Sequence, residues 1–252
     1  MFDMLRIRLN QGDQAVPDIK KAVLPEIFRG FPLLDTSKCK KGCSACKDIC
    51  CVNAIEINPL KIDIGKCNFC GECERVCNTG AIKFSNFHKT ASLTRERLII
   101  DGSIGIDKYL IDSNEVDKKI KRLFGRSLKI RSVSAGGCNA CEYELNACNN
   151  VNFDMSRFGF DIVASPRHAD CIVITGPISC NMSSALEDAY NSTPDPKLII
   201  LAGSCAISGG LFAESLEISR EFLKKYKIDL FVPGCPPHPL SIINGILGLL
   251  GV

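Results

Sequence analysis

The chain contains no tryptophan, and aromatic residues make up only 7% of its 252 residues. It therefore lacks a base-stacking platform for single-stranded nucleic acid. Charge of one sign is also scarce: 31 Lys and Arg stand against 28 Asp and Glu, a net of +3. That excess is too small to grip a phosphate backbone or an anionic membrane surface, so no nucleic-acid partner is expected. Long apolar runs are missing too. "LSIINGILGLLGV", from Leu240 to Val252, falls short of the roughly 20 residues that span a bilayer and reads as a core or docking helix. The opening "MFDMLRIRLN" has neither the apolar stretch nor the cleavage site of a signal peptide. At 46% hydrophobic and 23% charged, the composition is that of a globular protein.

Cysteine is what the sequence has in excess, with 16 residues. Disulfide-stapled modules are far smaller than this chain, and clustered cysteines without a signal peptide point to metal or redox chemistry. Nine lie between Cys39 and Cys77, and seven are scattered from Cys138 to Cys235. That shift marks two domains. We divide the chain into an arm (1–34), a cysteine-rich unit (35–86), a connector (87–126) and a larger domain (127–252). In the connector, "NEVDKKIKRLF" sets Val116, Ile120, Leu123 and Phe124 on one helical face, with Asn114 as the cap. Lys118, Lys119, Lys121 and Arg122 form its solvated side.

From residue 128 onward, short apolar runs alternate with helical patterns. "LKIRSV", "FDIVAS", "CIVIT", "KLIILA" and "DLFV" read as strands, and "SALEDAY", "ESLEISREFLKKY" and "SIINGILGLL" as helices. This alternation predicts an α/β fold with a doubly wound, mainly parallel sheet. Such sheets gather ligands beyond the carboxyl ends of their strands.

"CNFCGECERVC" spaces Cys67, Cys70, Cys73 and Cys77 as C-x2-C-x2-C-x3-C, a run that wraps one iron–sulfur cluster and sends its fourth thiol to another. "CKKGCSACKDIC" repeats the pattern at Cys39, Cys43, Cys46 and Cys50, one residue longer in its first gap. Ala54-Ile55 and Ala81-Ile82 follow in register, the mark of an internal repeat. Zinc ribbons use two separated pairs instead, so a zinc-stabilised binding module is the weaker alternative.

Residues 35–86 thus resemble a two-cluster [4Fe–4S] ferredoxin domain, a small α+β unit. The resemblance implies Cys39, Cys43, Cys46 and Cys77 on one cluster, and Cys50, Cys67, Cys70 and Cys73 on the other. Where a proline usually follows the fourth cysteine, this chain has Cys51 and Asn78. Cys51 could compete as a ligand, but its register with Asn78 favours a packed thiol.

Cys138 and Cys141 form a lone C-x-x-C pair, which can bind zinc, exchange disulfides or hold part of a cluster. A predicted strand and Gly136-Gly137 precede it, and a helical segment follows. Glycines allow close approach to a bulky ligand, and helix amides favour an anionic one. Cys205 and Cys235 also fall just past predicted strands. A doubly wound sheet brings these loops to one edge, giving four thiolates, enough for a third [4Fe–4S] cluster.

"GGCNACEYEL", "SPRHAD", "VITGPIS", "PDPKLIILAGSCAISGG" and "PGCPPHP" occur in this order. They closely resemble the small subunit of group 4 [NiFe]-hydrogenases of the formate hydrogenlyase and energy-converting types. That subunit is similar to the cluster-bearing small subunit of respiratory complex I. The resemblance spans about residues 124–252, while the first half, with "FRGFP", looks like the ferredoxin-type subunit of the same complexes. The complex I subunit usually carries adjacent cysteines where this chain separates Cys138 and Cys141, which favours the hydrogenase branch.

The resemblance implies a flavodoxin-like sheet domain and an oxidoreductase subunit without catalytic residues of its own. Its three [4Fe–4S] clusters would pass electrons between a donor or acceptor, such as ferredoxin or formate dehydrogenase, and a nickel–iron large subunit that oxidises H2 or reduces protons. Membrane subunits could complete the complex, on the cytoplasmic face of a membrane. The alternative is the same wire in a complex without nickel–iron that reduces a quinone or a sulfur compound. Arg167 and His168 are implied to tune the third cluster or move protons. Glu142 and Glu144 are candidates for a proton relay or for stabilising a helix start. Cys148, Cys171 and Cys180 fall outside the ligand sets and are expected to be buried, inert thiols. His238 is expected to be a loop residue.

Overall fold

The computed structural model describes residues 2–12, 16–103, 105–112, 116–125 and 127–252. Helix α1 (Phe2–Gln11) comes first. The cysteine-rich unit follows with β1 (Pro32–Leu34), α2 (Ala45–Asp48), β2 (Ile55–Ile57), β3 (Leu60–Asp63), α3 (Glu72–Val76), β4 (Ile82–Phe84) and β5 (Ile99–Ile100). β1 pairs antiparallel with β4, and β3 pairs antiparallel with both β2 and β5. These small sheets therefore use chain on both sides of the cysteine runs. α4 (Ile106–Tyr109) and α5 (Lys118–Phe124) lead to the larger unit.

The larger unit contains β6 (Leu128–Ser134), α6 (Ala140–Ala147), β7 (Phe160–Ile162), β8 (Cys171–Thr175), α7 (Cys180–Ser192) and β9 (Leu198–Ala202). It ends with α8 (Ser204–Ser208), α9 (Glu221–Lys225), β10 (Leu230–Val232) and α10 (Pro239–Leu250). Its five strands pair in parallel in the order β7-β6-β8-β9-β10. This is the flavodoxin order 2-1-3-4-5. β8 and β9 are buried along their whole length, as strands covered on both faces must be.

The pleat divides the core in two. Ile172, Ile174, Ile199 and Leu201 face a cluster that continues into Phe31, Ile62, Ile64 and Leu98 of the cysteine-rich unit. Val173, Leu198 and Ile200 face the other way, against Leu240, Ile243 and Ile246 of α10. The apolar tail is thus a core helix. Among the described residues, no helix is long and apolar enough to cross a membrane.

All five expected strands form, but "ESLEISREFLKKY" is helical only over α9. The residues before α9 are tied instead to the connection between β8 and α7. The Cys180 amide donates to the Glu217 carbonyl and the Ser219 amide to that of Ile178, both at 2.8 Å. These tertiary bonds override a weak helical propensity. Asn114 lies outside the described residues. The Asp117 carboxylate caps α5, accepting from the Lys119 amide at 2.7 Å. Val116 and Phe124 are buried as expected, but Leu123 is exposed.

Candidate metal centre

Cys39, Cys43, Cys46 and Cys77 line one cavity of about 390 Å³, so the fourth thiol of the second run joins three from the first. Cys67 is pushed up to about 12, first by burial and then by its neighbours Cys73, Cys50 and Cys70. Cys73 is also raised to about 12, by burial and then by Cys70, Cys50 and Cys46. The two sets therefore meet at Cys46 and Cys73, both buried. The internal repeat extends to hydrogen bonding. The Ala54 amide donates to Cys50 Sγ, and the Ala81 amide to Cys77 Sγ, each at 3.3 Å. Such bonds favour thiolate charge.

The third group forms beyond the carboxyl ends of β6, β9 and β10. Cys141 is pushed up to about 12 by burial, then by Glu142, Cys205, Cys235 and Cys138. Close packing at this edge requires glycine. A Cβ on Gly203 (φ +96°) would sit 2.6 Å from Cys141 Sγ, and one on Gly210 (φ +57°) 2.8 Å from Cys205 Sγ. Cys235 shares the wall of one cavity with Cys70, so the third group borders the second. Ser204, fully buried, spans the same border. Its hydroxyl is shared between the carbonyls of Cys67 at 2.7 Å and Gly234 at 3.2 Å. Sequence reasoning missed Ser204; its position directly before Cys205 at a strand end was the available signal.

Among the described residues, no three His, Cys, Asp or Glu side chains converge tightly enough for a single metal ion. Burial and neighbouring thiols raise the pKa of Cys67, Cys73 and Cys141, a costly setting for free thiolates that a cationic iron–sulfur core would offset. The residues present fit such a group.

The remaining candidates separate clearly. Glu142 stands beside Cys141 and accepts a hydrogen bond from the Thr175 hydroxyl at 2.7 Å. Burial raises the Glu144 carboxyl pKa. Arg167 and His168 are exposed in a turn that leads into the amino end of β8, whereas the third thiol group follows the carboxyl ends of its neighbours. Cys148 and Cys171 are buried, but Cys180 and Cys51 are exposed, contrary to expectation. Cys180 begins α7 just beyond the sheet edge, where its thiol donates to the Leu216 carbonyl at 3.6 Å. Cys51 follows the solvated end of α2, with the Asn68 side-chain amide as its donor at 4.0 Å. His238 caps α10, its Nδ1 accepting from the Leu240 amide at 3.1 Å.

Residues 60–83 match the 4Fe-4S binding domain. Residues 138–249 match the family described as NADH ubiquinone oxidoreductase, 20 Kd subunit. The probable membrane-bound hydrogenase subunit mbhJ of Pyrococcus furiosus is 37% identical over 139 residues, covering 54% of this chain and 83% of that one. The chain belongs to the 20 Kd subunit family. Formate hydrogenlyase subunit 7 of Escherichia coli is 41% identical over 135 residues, 54% of this chain and 51% of that protein. An NADH-quinone oxidoreductase subunit of Heliobacterium modesticaldum is 40% identical over 116 residues, 46% of this chain and 66% of that protein. As a member of this family with a 4Fe-4S domain, the chain is an iron–sulfur, electron-transferring subunit of the hydrogenase and complex I type.

Proposed function

We propose that the chain relays electrons through three [4Fe–4S] clusters, between an external redox partner and a nickel–iron large subunit that oxidises H2 or reduces protons. The observation that carries this reading is the unbroken succession of three thiol groups. Cys46 of the first and Cys73 of the second lie in one buried cluster, and Cys70 of the second shares a cavity wall with Cys235 of the third. Each [4Fe–4S] cluster, when bound, supplies a one-electron carrier whose potential its surroundings set.

Cys39, Cys43, Cys46 and Cys77 would hold the first cluster, Cys50, Cys67, Cys70 and Cys73 the second, and Cys138, Cys141, Cys205 and Cys235 the third. The Ala54 and Ala81 amides steady the two thiolates that cross between runs. Apolar residues around Cys46 and Cys73 keep water from the first junction. Glu142 is placed to act on the third group; Arg167, His168 and Glu144 serve more peripheral roles. The external partner is a ferredoxin or formate dehydrogenase, and the complex sits on the cytoplasmic face of a membrane.

The test is metal analysis of the complex purified anaerobically through a tag on this chain. About 12 iron atoms per chain, nickel in the large partner and H2-dependent dye reduction support the reading. Iron without nickel would favour a second reading, supported by the 40% identity to the NADH-quinone oxidoreductase subunit. There the same wire would serve reduction of a quinone or a sulfur compound.

A further inference from the structure

The segment that departs from its expected helix ends in Arg220, whose guanidinium lies beneath the turn that bears Cys205. One terminal nitrogen donates to the carbonyls of Pro177 at 3.1 Å and Cys205 at 3.4 Å. The other donates to those of Ala206 at 2.7 Å and Ile207 at 2.8 Å. All four acceptors are neutral. The charged groups that face Arg220 are the Cys205 thiol and a second cation, Arg95, which is itself paired with Asp63 at 2.6 Å. Burial lowers the Arg220 pKa to about 10, which still leaves it cationic at neutral pH.

A half-buried cation without a carboxylate is costly unless another negative charge balances it. The carbonyls at the end of α8 supply part of that balance. Arginine can grip several carbonyls with its fork of donors and keep its charge, which lysine does less well. The nearest site for a full negative charge is Cys205 and whatever it holds.

We propose that Arg220 is the counter-charge of the third cluster, a positioning residue that acts through Cys205 and raises that cluster's reduction potential. This rests on the reading that Cys205 holds a cluster. Reduction adds one electron to an already anionic cluster–thiolate assembly, so a fixed cation alongside stabilises the reduced form more than the oxidised one. Among the described residues, the thiol that acts on Arg220 is Cys205 and none belongs to the first two groups, which gain less from it.

The experiment is a redox titration of the native complex, following each cluster by electron paramagnetic resonance, with iron counted in every sample. Arg220→Gln keeps donors for the carbonyls and removes the charge. It should lower the midpoint of the third cluster alone, with iron unchanged. Arg220→Lys keeps the charge and should hold that midpoint near the wild-type value. Ser219→Asp, at a half-exposed neighbouring position, offsets the charge without removing Arg220. It should shift the midpoint the same way by less, and it carries the test if Arg220→Gln does not assemble.

An unmoved third midpoint in Arg220→Gln or Ser219→Asp, with iron complete, would overturn the proposal. So would an equal shift in Arg220→Lys and Arg220→Gln, which would show that shape matters rather than charge. A wild-type protein with only about eight iron atoms would overturn the three-cluster reading and this inference with it.

Discussion

In the cysteine-rich unit, the eight proposed ligand thiols arise from two tight runs between Cys39 and Cys77, and the proposed grouping follows from their spacing. In the sheet unit, four thiols come from three loops between Cys138 and Cys235, and only the parallel sheet brings them together. The first site is local and partly core: Cys46 and Cys73 are buried among Ile55, Ile62 and Ile82, while Cys43 and Cys70 are exposed. The second sits on the rim of a core that does not need it, with Cys138 and Cys235 exposed. A local site is therefore inseparable from its fold, whereas a rim site can be lost while the fold survives.

The largest expected effect separates the two regions directly. Cys73→Ala should remove about eight iron atoms and leave little assembled protein, because it damages ligand and core together. Cys235→Ser should remove about four and leave both signals of the cysteine-rich unit intact. Loss of all iron from Cys235→Ser would show that the two regions are not independent.

His88 sharpens the boundary between them, since it shares the wall of one cavity with Cys70 and Cys235. It is 3% exposed, and burial holds its imidazole at about 4 against an ordinary 6.5. Between those values the unfolded chain binds more protons than the folded one. Stability should therefore fall as the pH drops from 6.5 towards 4, by up to about 3 kcal/mol, and then level off. Urea unfolding across this range should show a shallower slope in His88→Gln than in the wild type.

Ser204→Ala removes the buried hydroxyl shared by the carbonyls of Cys67 and Gly234. The expected cost is about 1–3 kcal/mol in urea unfolding. A weaker magnetic interaction between the second and third clusters should accompany it. Smallest of all, Arg167→Ala, on an exposed turn, should change stability by no more than about 0.5 kcal/mol. A larger change would restore Arg167 to the site.

The expectations that held rest on patterns written in nearby residues. Short apolar runs marked every strand of the parallel sheet, and cysteine spacing is what suggests the first two groups. The third group was legible because Cys141, Cys205 and Cys235 each follow such a run, so that topology did the work of spacing. What escaped was decided by tertiary bonds. The stretch before α9 carries a helical pattern, yet Glu217 and Ser219 are held by the connection between β8 and α7. Within that pattern Arg220 looks like one more solvated cation. Only the folded chain shows it gripping four carbonyls under Cys205. Cys180 and Cys51 were misjudged for a related reason: cysteine is usually buried, but these two begin or follow a helix at an edge.

The most direct measurement is iron and acid-labile sulfide per chain in the anaerobically purified complex. Three [4Fe–4S] clusters require about 12 of each. About eight of each, with the Cys138, Cys141, Cys205 and Cys235 thiols open to alkylation, would contradict the electron wire at its third step.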